Sequence, residues 1–226
     1  EGGLELEEVN RFPNHLIEVG GHFYWDIYAL YQYVIDGLKL VAGKQDVKIV
    51  SIGIDTWGVD FGLIDKKGNL LGNPVCYRDA RTDGMPAKAF QILDIQKHYA
   101  CTGIQVMPIN TLFQLYSMQQ SQDVQLEVAH QLLFMPDLFS YYLTGVANNE
   151  YCIASTSELL DARQRNWSMD TIRALGLPEH LFGEIILPGT IRGTLKEDIV
   201  RETGLGSVDI IAVGSHDTAS AVAAVP

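Results

Sequence analysis

The chain has 226 residues, of which 47% are hydrophobic and 19% are charged, so it can bury a sizeable globular core. Its formal net charge of -12 at pH 7 argues against nucleic acid as a partner, because no excess of cations is present to neutralise phosphates. Its three cysteines are widely spaced, which argues against a disulfide framework and is typical of a reducing compartment.

The first part of the chain predicts a strand, a turn and a helix. Apolar and charged residues alternate over residues 4–12, as in a half-exposed strand, and two glycines before it predict a hairpin turn whose first strand is missing. We therefore expect the chain to be cut from a longer protein. Residues 20–21 predict a second turn, and Asp26 is expected to cap a helix that runs to about Ala42.

Three strands are expected next. Residues 47–54 are nearly all apolar and β-branched, which predicts a strand buried on both faces. The polar tip at residues 55–58 follows it directly. Residues 59–64 predict a second strand, and a turn at residues 66–69 leads to a third short strand at residues 70–71.

Helices dominate the rest of the chain. An irregular, charge-rich segment is expected at residues 73–84, where turn residues are dense. The predicted helices are 86–100, about 110–118, 124–134, 135–144, 168–175 and 195–203. No repeat and no linker composition divides them, so the sequence predicts one domain.

The last motif is the most informative one. An apolar strand at residues 208–213 runs through Gly214 into Ser215, His216 and Asp217, and small helix-forming residues follow. The simplest interpretation of Asp217 is a helix N-cap, since a helix N-terminus offers free N–H groups and a positive dipole end.

Several kinds of site are excluded by the pattern. Phosphate-loop, dinucleotide-binding, zinc-protease and nucleophile-elbow motifs are all absent, and the six histidines lack metal-ligand spacing. Ser215, His216 and Asp217 are consecutive, so they cannot converge as a hydrolytic triad must. No apolar run is long enough to span a bilayer, so no membrane partner is expected.

Four strings in this order resemble a known family. They are Ser51-Ile-Gly-Ile-Asp-Thr-Trp-Gly-Val-Asp-Phe61, Tyr77-Arg-Asp-Ala-Arg-Thr82, Met135-Pro-Asp-Leu-Phe-Ser-Tyr-Tyr-Leu-Thr-Gly145 and Gly214-Ser-His-Asp-Thr-Ala-Ser-Ala221. Together they resemble the FGGY carbohydrate kinases over nearly the whole chain. The D-T-W-G-V-D and S-H-D-T-A-S-A strings are most similar to members that act on L-rhamnulose.

The resemblance implies an α/β fold of the ribonuclease-H-like, actin/hexokinase/Hsp70 type, with a mixed sheet flanked by helices. Residues 1–226 would be the N-terminal, sugar-binding domain, without its first strand and phosphate loop and without the second, ATP-side domain. It implies no cofactor-binding or metal-binding residue in this chain. The chain alone is therefore expected to be inactive.

The implied parent enzyme is a cytoplasmic phosphotransferase that uses ATP and Mg²⁺. It would transfer the γ-phosphate to the 1-hydroxyl of L-rhamnulose, a small-molecule ketose, in L-rhamnose catabolism. Two alternatives stay open: another ketose kinase of the family, such as a fuculokinase or xylulokinase, or a non-catalytic sugar-binding module on the same fold. The sequence does not predict an oligomeric state.

The family pattern also implies residue roles. Asp217 would be the general base that accepts the hydroxyl proton. His216 and Thr218 would contact the sugar, with a core histidine and first-turn helix packing as the alternatives. Gly58 would let the backbone approach the sugar, and Trp57 would either stack on the sugar or belong to the core.

The remaining polar residues of the motifs have mainly structural expectations. Asp55 and Asp79 suit contacts to hydroxyls or metal-bound water, but solvation at a strand end explains them equally well. Arg81 is expected to hold Asp79 or a loop carbonyl. Asp137 is expected to be a helix N-cap, and residues 155–157 are expected to cap a helix near the cleft.

Overall fold

The computed structural model describes residues 5–45 and 47–225. The strands are β1 (Leu16–Val19), β2 (His22–Trp25), β3 (Ser51–Ile52), β4 (Phe61–Ile64), β5 (Gln131–Phe134), β6 (Asn149–Glu150), β7 (Leu160–Asp161), β8 (Asn166–Trp167), β9 (Ile185–Ile186), β10 (Ile191–Thr194) and β11 (Asp209–Ile211). The α-helices are α1 (Ile27–Ala42), α2 (Met85–Ala89), α3 (Ile95–Thr102), α4 (Thr111–Gln120), α5 (Val124–Val128), α6 (Met135–Thr144), α7 (Tyr151–Ser155), α8 (Met169–Ala174), α9 (Glu197–Thr203) and α10 (Asp217–Ala223).

The N-terminal hairpin and the first helix follow local sequence signals. β1 and β2 pair antiparallel across Gly20 and Gly21, and both glycines have positive φ, as the predicted turn requires. The carboxylate of Asp26 accepts a hydrogen bond from the backbone N–H of Ala29 at 3.1 Å, so the predicted cap of α1 is confirmed.

The strand predicted for residues 4–12 is wrong over residues 5–12, which have no regular secondary structure. Alternating apolar and polar residues become a strand only where a neighbouring strand supplies hydrogen bonds, and none of the described strands pairs with this segment. Residue 4 and the two glycines of the predicted hairpin turn lie outside the described residues.

A three-stranded mixed sheet positions the two polar tips. Its order is β10-β11-β3, with β10 antiparallel and β3 parallel to β11. The prediction that residues 47–54 form a strand buried on both faces is wrong. Only Ser51–Ile52 is a strand, and Val47 and Val50 are 50% and 73% exposed. Among the described residues only β11 pairs with β3, so the apolar composition of this segment is not matched by burial.

A second strand pair corrects another expectation. β4 and β5 are antiparallel neighbours, whereas the sequence pattern predicted a continuous helix over residues 124–134. α5 ends at Val128, and Leu132, Leu133 and Phe134 of β5 are fully buried. Periodicity cannot separate a short buried strand from a buried helix turn, which explains the error.

The helix predicted for residues 86–100 is two helices. α2 ends at Ala89, and α3 begins after Asp94, whose carboxylate accepts hydrogen bonds from the backbone N–H groups of Gln96 and Lys97. The apolar spacing continues on both sides of Asp94, so the sequence pattern does not show the interruption. The irregular segment predicted at residues 73–84 contains a 3₁₀ turn, Ala80–Thr82.

Two helices form the centre of the hydrophobic core. Residues 111–118 of α4 are all buried, and seven of the ten residues of α6 are buried, which is typical of helices surrounded by other elements. The sheets and their flanking helices pack around them. None of the described helices combines the length and the apolarity that crossing a bilayer requires.

Asp137 is part of a buried ion pair, so its predicted N-cap role is wrong. Phe134 precedes α6 at the cap position, and Asp137 lies in the first turn. Its carboxylate accepts a hydrogen bond from Arg192 of β10 at 2.6 Å and from Asn149 at 3.2 Å. Burial, partly offset by Arg192, raises the pKa of Asp137 to about 6.

Candidate functional site

The two polar tips, residues 55–58 and residues 214–217, lie side by side. Because β3 and β11 are parallel, the segments that follow them leave the sheet at the same edge, where α/β folds bind ligands. The backbone N–H of Thr56 donates to the carbonyl of Ser215 at 3.0 Å, and that of Asp217 donates to the carbonyl of Thr56 at 2.8 Å. The backbone thus fixes both tips at one corner.

Asp217 is the first residue of α10, and one of its carboxylate oxygens has no partner in the described chain. Oδ1 accepts hydrogen bonds from the backbone N–H of Thr218 at 2.6 Å and from its hydroxyl at 3.2 Å. Oδ2 accepts none from the described residues, and the side chain is 58% exposed. One oxygen therefore closes the helix start while the other stays free to accept a proton.

The two neighbours of Asp217 differ in placement. His216 is the N-cap residue of α10, and its ring Nε2 lies 3.4 Å from Asp217 Oδ1 with the side chain 27% exposed. Thr218 is exposed and its hydroxyl donates to Asp217. His216 therefore faces the corner, whereas Thr218 contacts Asp217 from the solvent side.

The tip at Gly58 makes a close approach to both walls of the corner. A Cβ at Gly58 would lie 3.1 Å from Thr156 Cγ2 and 3.3 Å from His216 Nε2. Val59 follows with φ 66°, a left-handed conformation that β-branched residues rarely adopt. Its N–H donates to Thr156 Oγ1 at 3.0 Å, and its carbonyl accepts from Thr111 Oγ1 at 2.7 Å. Such strain persists where neighbours over-determine it, as at many functional sites.

The short helix α7 touches both tips. Glu150 caps it, accepting hydrogen bonds from the backbone N–H groups of Cys152 at 2.7 Å and Ile153 at 3.1 Å. The same carboxylate accepts a hydrogen bond from the N–H of Ser215 at 3.0 Å. Thr156, at the other end of α7, accepts one from the N–H of Val59. One five-residue helix therefore locates both tips.

Trp57 is held from behind by a second tryptophan and a buried carboxylate. Its ring centroid lies 4.4 Å from that of Trp25. Both indole N–H groups donate to Asp60 Oδ2, Trp25 at 2.6 Å and Trp57 at 3.0 Å. Trp57 is partly buried and packs against a cluster of the hydrophobic core, as one of its two interpretations expects.

These residues border a cavity of about 400 Å³. Four of the five predicted site residues line it: Trp57, Gly58, His216 and Asp217; Thr218 does not. The other lining residues are Val59, Tyr77, Ile104, Gln105, Met107, Ile109, Asn110, Ser155 and Thr156. The lining thus combines apolar side chains with hydroxyl, imidazole, amide and carboxylate groups.

The remaining polar residues of the motifs lie away from the cavity. Asp55 is exposed at the end of β3. Asp79 is buried and caps the 3₁₀ turn; burial acts to raise its pKa, but hydrogen bonds from Phe23, Arg81 and His22 hold it below the ordinary value. The side chain of Arg81 donates to Gln114 at 2.6 Å and not to Asp79, which corrects that expectation.

The polar run at residues 155–157 lies at the C-terminal end of α7 instead of capping a helix N-terminus. The hydroxyls of Ser155, Thr156 and Ser157 donate to carbonyls three residues earlier. Sequence reasoning missed the clamp of Thr156 on Val59 and the roles of Asp60 and Glu150. The only available signal was that Asp60 ends the same D-T-W-G-V-D string that contains Trp57 and Gly58.

Comparison with known proteins places this corner in context. The chain matches the model of the FGGY family of carbohydrate kinases, N-terminal domain, over residues 9–224. It is 56% identical over 226 residues to a rhamnulokinase of Bacteroides thetaiotaomicron, covering 100% of this chain and 46% of that protein. It is 40% identical over 225 residues to a rhamnulokinase of Oceanobacillus iheyensis, covering 100% and 47%. The chain thus spans about half the length of the curated relatives it matches.

Solved structures support the fold. The chain superposes on a xylulose kinase from Rhodospirillum rubrum with a TM-score of 0.82 at 19% identity, covering 94% of this chain and 44% of that one. Plasmodium falciparum glycerol kinase gives a TM-score of 0.79 at 18% identity, with the same coverage. The predicted actin/hexokinase-type α/β fold is confirmed. With the family match extending over nearly every described residue, the chain belongs to the FGGY family of carbohydrate kinases.

Proposed function

We propose that the protein carrying this domain is a rhamnulokinase. It transfers the γ-phosphate of ATP to the 1-hydroxyl of L-rhamnulose, giving L-rhamnulose 1-phosphate, with Asp217 as the general base. The sugar occupies the cavity beside residues 55–58 and 214–217. We place the reaction in the cytoplasm, where ATP is available.

The observation that carries this proposal is the free Oδ2 of Asp217 at the edge of that cavity. A general base must lie within hydrogen-bond reach of the proton it accepts, and it must not already be committed to other donors. Oδ1 is engaged by Thr218, which fixes the rotation of the carboxylate, so Oδ2 can accept the proton of a sugar hydroxyl. A non-catalytic sugar-binding module would have no need of an uncommitted carboxylate there.

The lining of the cavity supports a 6-deoxy sugar. L-rhamnulose has a methyl group at one end and hydroxyls along the rest of the chain. Ile104, Met107 and Ile109 offer an apolar surface for the methyl group, while His216 and Asp217 offer polar atoms to hydroxyls. The 56% identity to a rhamnulokinase favours the same sugar.

The residues of this chain perform three tasks in the proposed reaction. The apolar wall and the close backbone at Gly58 bind and orient the ketose, which lowers the entropic barrier to reaction. His216 positions a sugar hydroxyl from the side of α10. As the 1-hydroxyl oxygen forms its bond to phosphorus, its proton moves to Asp217 Oδ2, and the P–O bond to the leaving diphosphate breaks.

ATP and Mg²⁺ supply the phosphoryl group and neutralise its charge in kinases generally. Among residues 5–45 and 47–225, no group of three or more His, Cys, Asp or Glu side chains could hold a metal ion. Asp217, as a single exposed carboxylate, suits proton acceptance better than a full metal site. We therefore propose no metal-binding role for Asp217.

A ketose panel tests the proposal. The full-length protein is offered ATP, Mg²⁺ and, in separate reactions, L-rhamnulose, L-fuculose, D-xylulose or glycerol, and ADP release is followed. We expect the highest kcat/KM for L-rhamnulose and a product phosphorylated at O1 by ³¹P–¹H NMR. Turnover of D-xylulose with none of L-rhamnulose would overturn the rhamnulokinase assignment and support a xylulokinase instead.

A further inference from the structure

A network of hydrogen bonds links the guanidinium of Arg81, through Gln114 and Asp60, to the two tryptophans beside the cavity. Arg81 Nη2 donates to Gln114 Oε1 at 2.6 Å, and Gln114 Nε2 donates to Asp60 Oδ1 at 3.0 Å. The other oxygen of Asp60 accepts hydrogen bonds from the indole N–H groups of Trp25 and Trp57 and from the backbone N–H of Tyr77 at 3.2 Å. Asp60 and Gln114 are 0% and 1% exposed.

The order of donors and acceptors in this hydrogen-bond network is fixed by the chemistry of its two end groups. A guanidinium can only donate, so Arg81 must face the oxygen of the Gln114 amide. An ionised carboxylate can only accept, so Asp60 must face the nitrogen of that amide. The neutral amide of Gln114 therefore links the partly buried guanidinium of Arg81 to the buried carboxylate of Asp60. Burial raises the pKa of Asp60, while four hydrogen-bond donors act in the opposite direction.

Asp60 has no access to the cavity, but Trp57 lines it. Trp57 lies in a loop with the strained Val59 two residues later, so nothing in regular secondary structure sets the plane of its ring. Two contacts set that plane: the hydrogen bond to Asp60 and the packing against Trp25 at 4.4 Å, tilted by 43°. Trp25 itself is held by Asp60 at 2.6 Å.

We propose that Asp60 is a positioning residue for the sugar: it orients Trp57 as the wall of the cavity, and Arg81 orients the Gln114 amide that donates to Asp60. This inference rests on the proposed function for the identity of the ligand. It predicts that Asp60 acts on sugar affinity through Trp57 and leaves the chemistry at Asp217 largely unchanged.

Exchanging the carboxylate of Asp60 and the amide of Gln114 tests this hydrogen-bond network. In D60N, the new amide at position 60 meets the Gln114 amide donor to donor, so one hydrogen bond fails and KM for the sugar should rise about tenfold, with kcat within about threefold of wild type. In Q114E, two carboxylates face each other and KM should rise similarly. The double variant D60N/Q114E restores a donor opposite an acceptor at this contact and still meets Arg81 with an oxygen. The carboxylate that Q114E introduces cannot donate to the carbonyls of Ile109 and Val59, which accept from Gln114 Nε2 at 2.9 and 3.3 Å. KM of the double variant should therefore be lower than that of Q114E but need not reach the wild-type value.

A second cycle separates positioning from general damage. In a W57F background the indole N–H is absent, so adding D60N should change KM less than about twofold. The control E197Q removes a carboxylate that is 96% exposed and lies outside this hydrogen-bond network, and its KM should match that of wild type. Near-UV circular dichroism of the paired indoles gives a readout independent of turnover. The signal lost in W57F should be weakened in D60N and restored in the double variant.

Different outcomes would overturn the positioning role of Asp60 and the proposed function. A double variant worse than either single variant, or an equal KM effect of D60N with and without Trp57, would overturn the positioning role. So would an unchanged near-UV signal in D60N. Failure of the wild-type protein to phosphorylate any ketose would instead overturn the proposed function, and the near-UV arm would still decide whether Asp60 orients Trp57.

Discussion

The substitution Gly58→Ala adds one methyl group at the closest backbone approach to the cavity. Gly58 does not have the positive φ that only glycine tolerates, so the effect is one of space. The new Cβ would lie 3.1 and 3.2 Å from atoms of Thr156 and 3.3 Å from His216 Nε2. Each distance is shorter than an ordinary contact, so a neighbour must move by a fraction of an ångström.

The structure indicates which neighbour gives way. Thr156 Oγ1 accepts from the N–H of Val59 at 3.0 Å and donates to the carbonyl of Ile153 at 2.7 Å, so it is held on two sides. The ring of His216 is partly exposed and can turn toward the cavity. Overpacking costs about 1–3 kcal/mol in a rigid core, and a yielding neighbour puts G58A near about 1 kcal/mol. We expect the displaced ring to raise KM for the sugar about tenfold.

Thermal unfolding and steady-state kinetics of the full-length protein measure the two effects separately. The matched control is G206A, because a Cβ at Gly206 meets no atom within 4 Å and its φ is also ordinary. G206A should match wild type in KM. A G58A variant with wild-type KM would refute the close-approach argument, and a G58A variant that fails to fold would show that His216 does not yield.

Four further changes probe the base, the buried ion pair and backbone strain. D217N should lower kcat by about 10²–10⁴ with KM and stability little changed, measured by ADP release; retained kcat would rule out Asp217 as the base. R192M leaves the carboxylate of Asp137 buried without its cation, so it should lower the free energy of unfolding at pH 7 by about 3–5 kcal/mol. Urea titration measures this change, and a value near zero would show that the ion pair does not stabilise the fold. The pKa of Asp137 is raised from 3.8 to about 6 in the folded state, so its contribution to the free energy of unfolding is present below pH 3.8 and is lost as the pH rises through about 6. The difference in free energy of unfolding between wild type and D137N should therefore fall by about 3 kcal/mol over that pH range. A difference that does not change with pH would contradict this prediction. Q122G relieves an exposed residue with φ 55° and should raise stability by about 0.5–1 kcal/mol, whereas a loss would mean that the Gln122 side chain contributes more than its strain costs.

Local signals in the sequence predicted local structure well. The Asp26 cap, the turn at residues 20–21 and the helix at residues 135–144 depend on groups within a few residues, and each is confirmed. β5 was mistaken for helix because its burial depends on β4, which lies far away in the sequence.

The candidate site shows the same division. Gly58, His216, Asp217 and Trp57 were named because their strings resemble a family, and the structure places all four around one cavity. The roles of the residues that hold these four in place could not be predicted. Asp60 gains its hydrogen bonds from several separate parts of the chain, and Asp137 meets its cation 55 residues later. No local pattern marks such partners.

The placement of α7 has a consequence for motion within the site. Its first turn is tied through Glu150 to Ser215, and Thr156 at its far end is tied to Val59. We therefore expect displacement of this helix to move the turn that carries Asp217 and the tip at Gly58 in the same direction. The separation of the two tips should then fluctuate less than the position of either one. A site with this correlated motion can be carried through a large rigid-body movement of the domain with its spacing preserved.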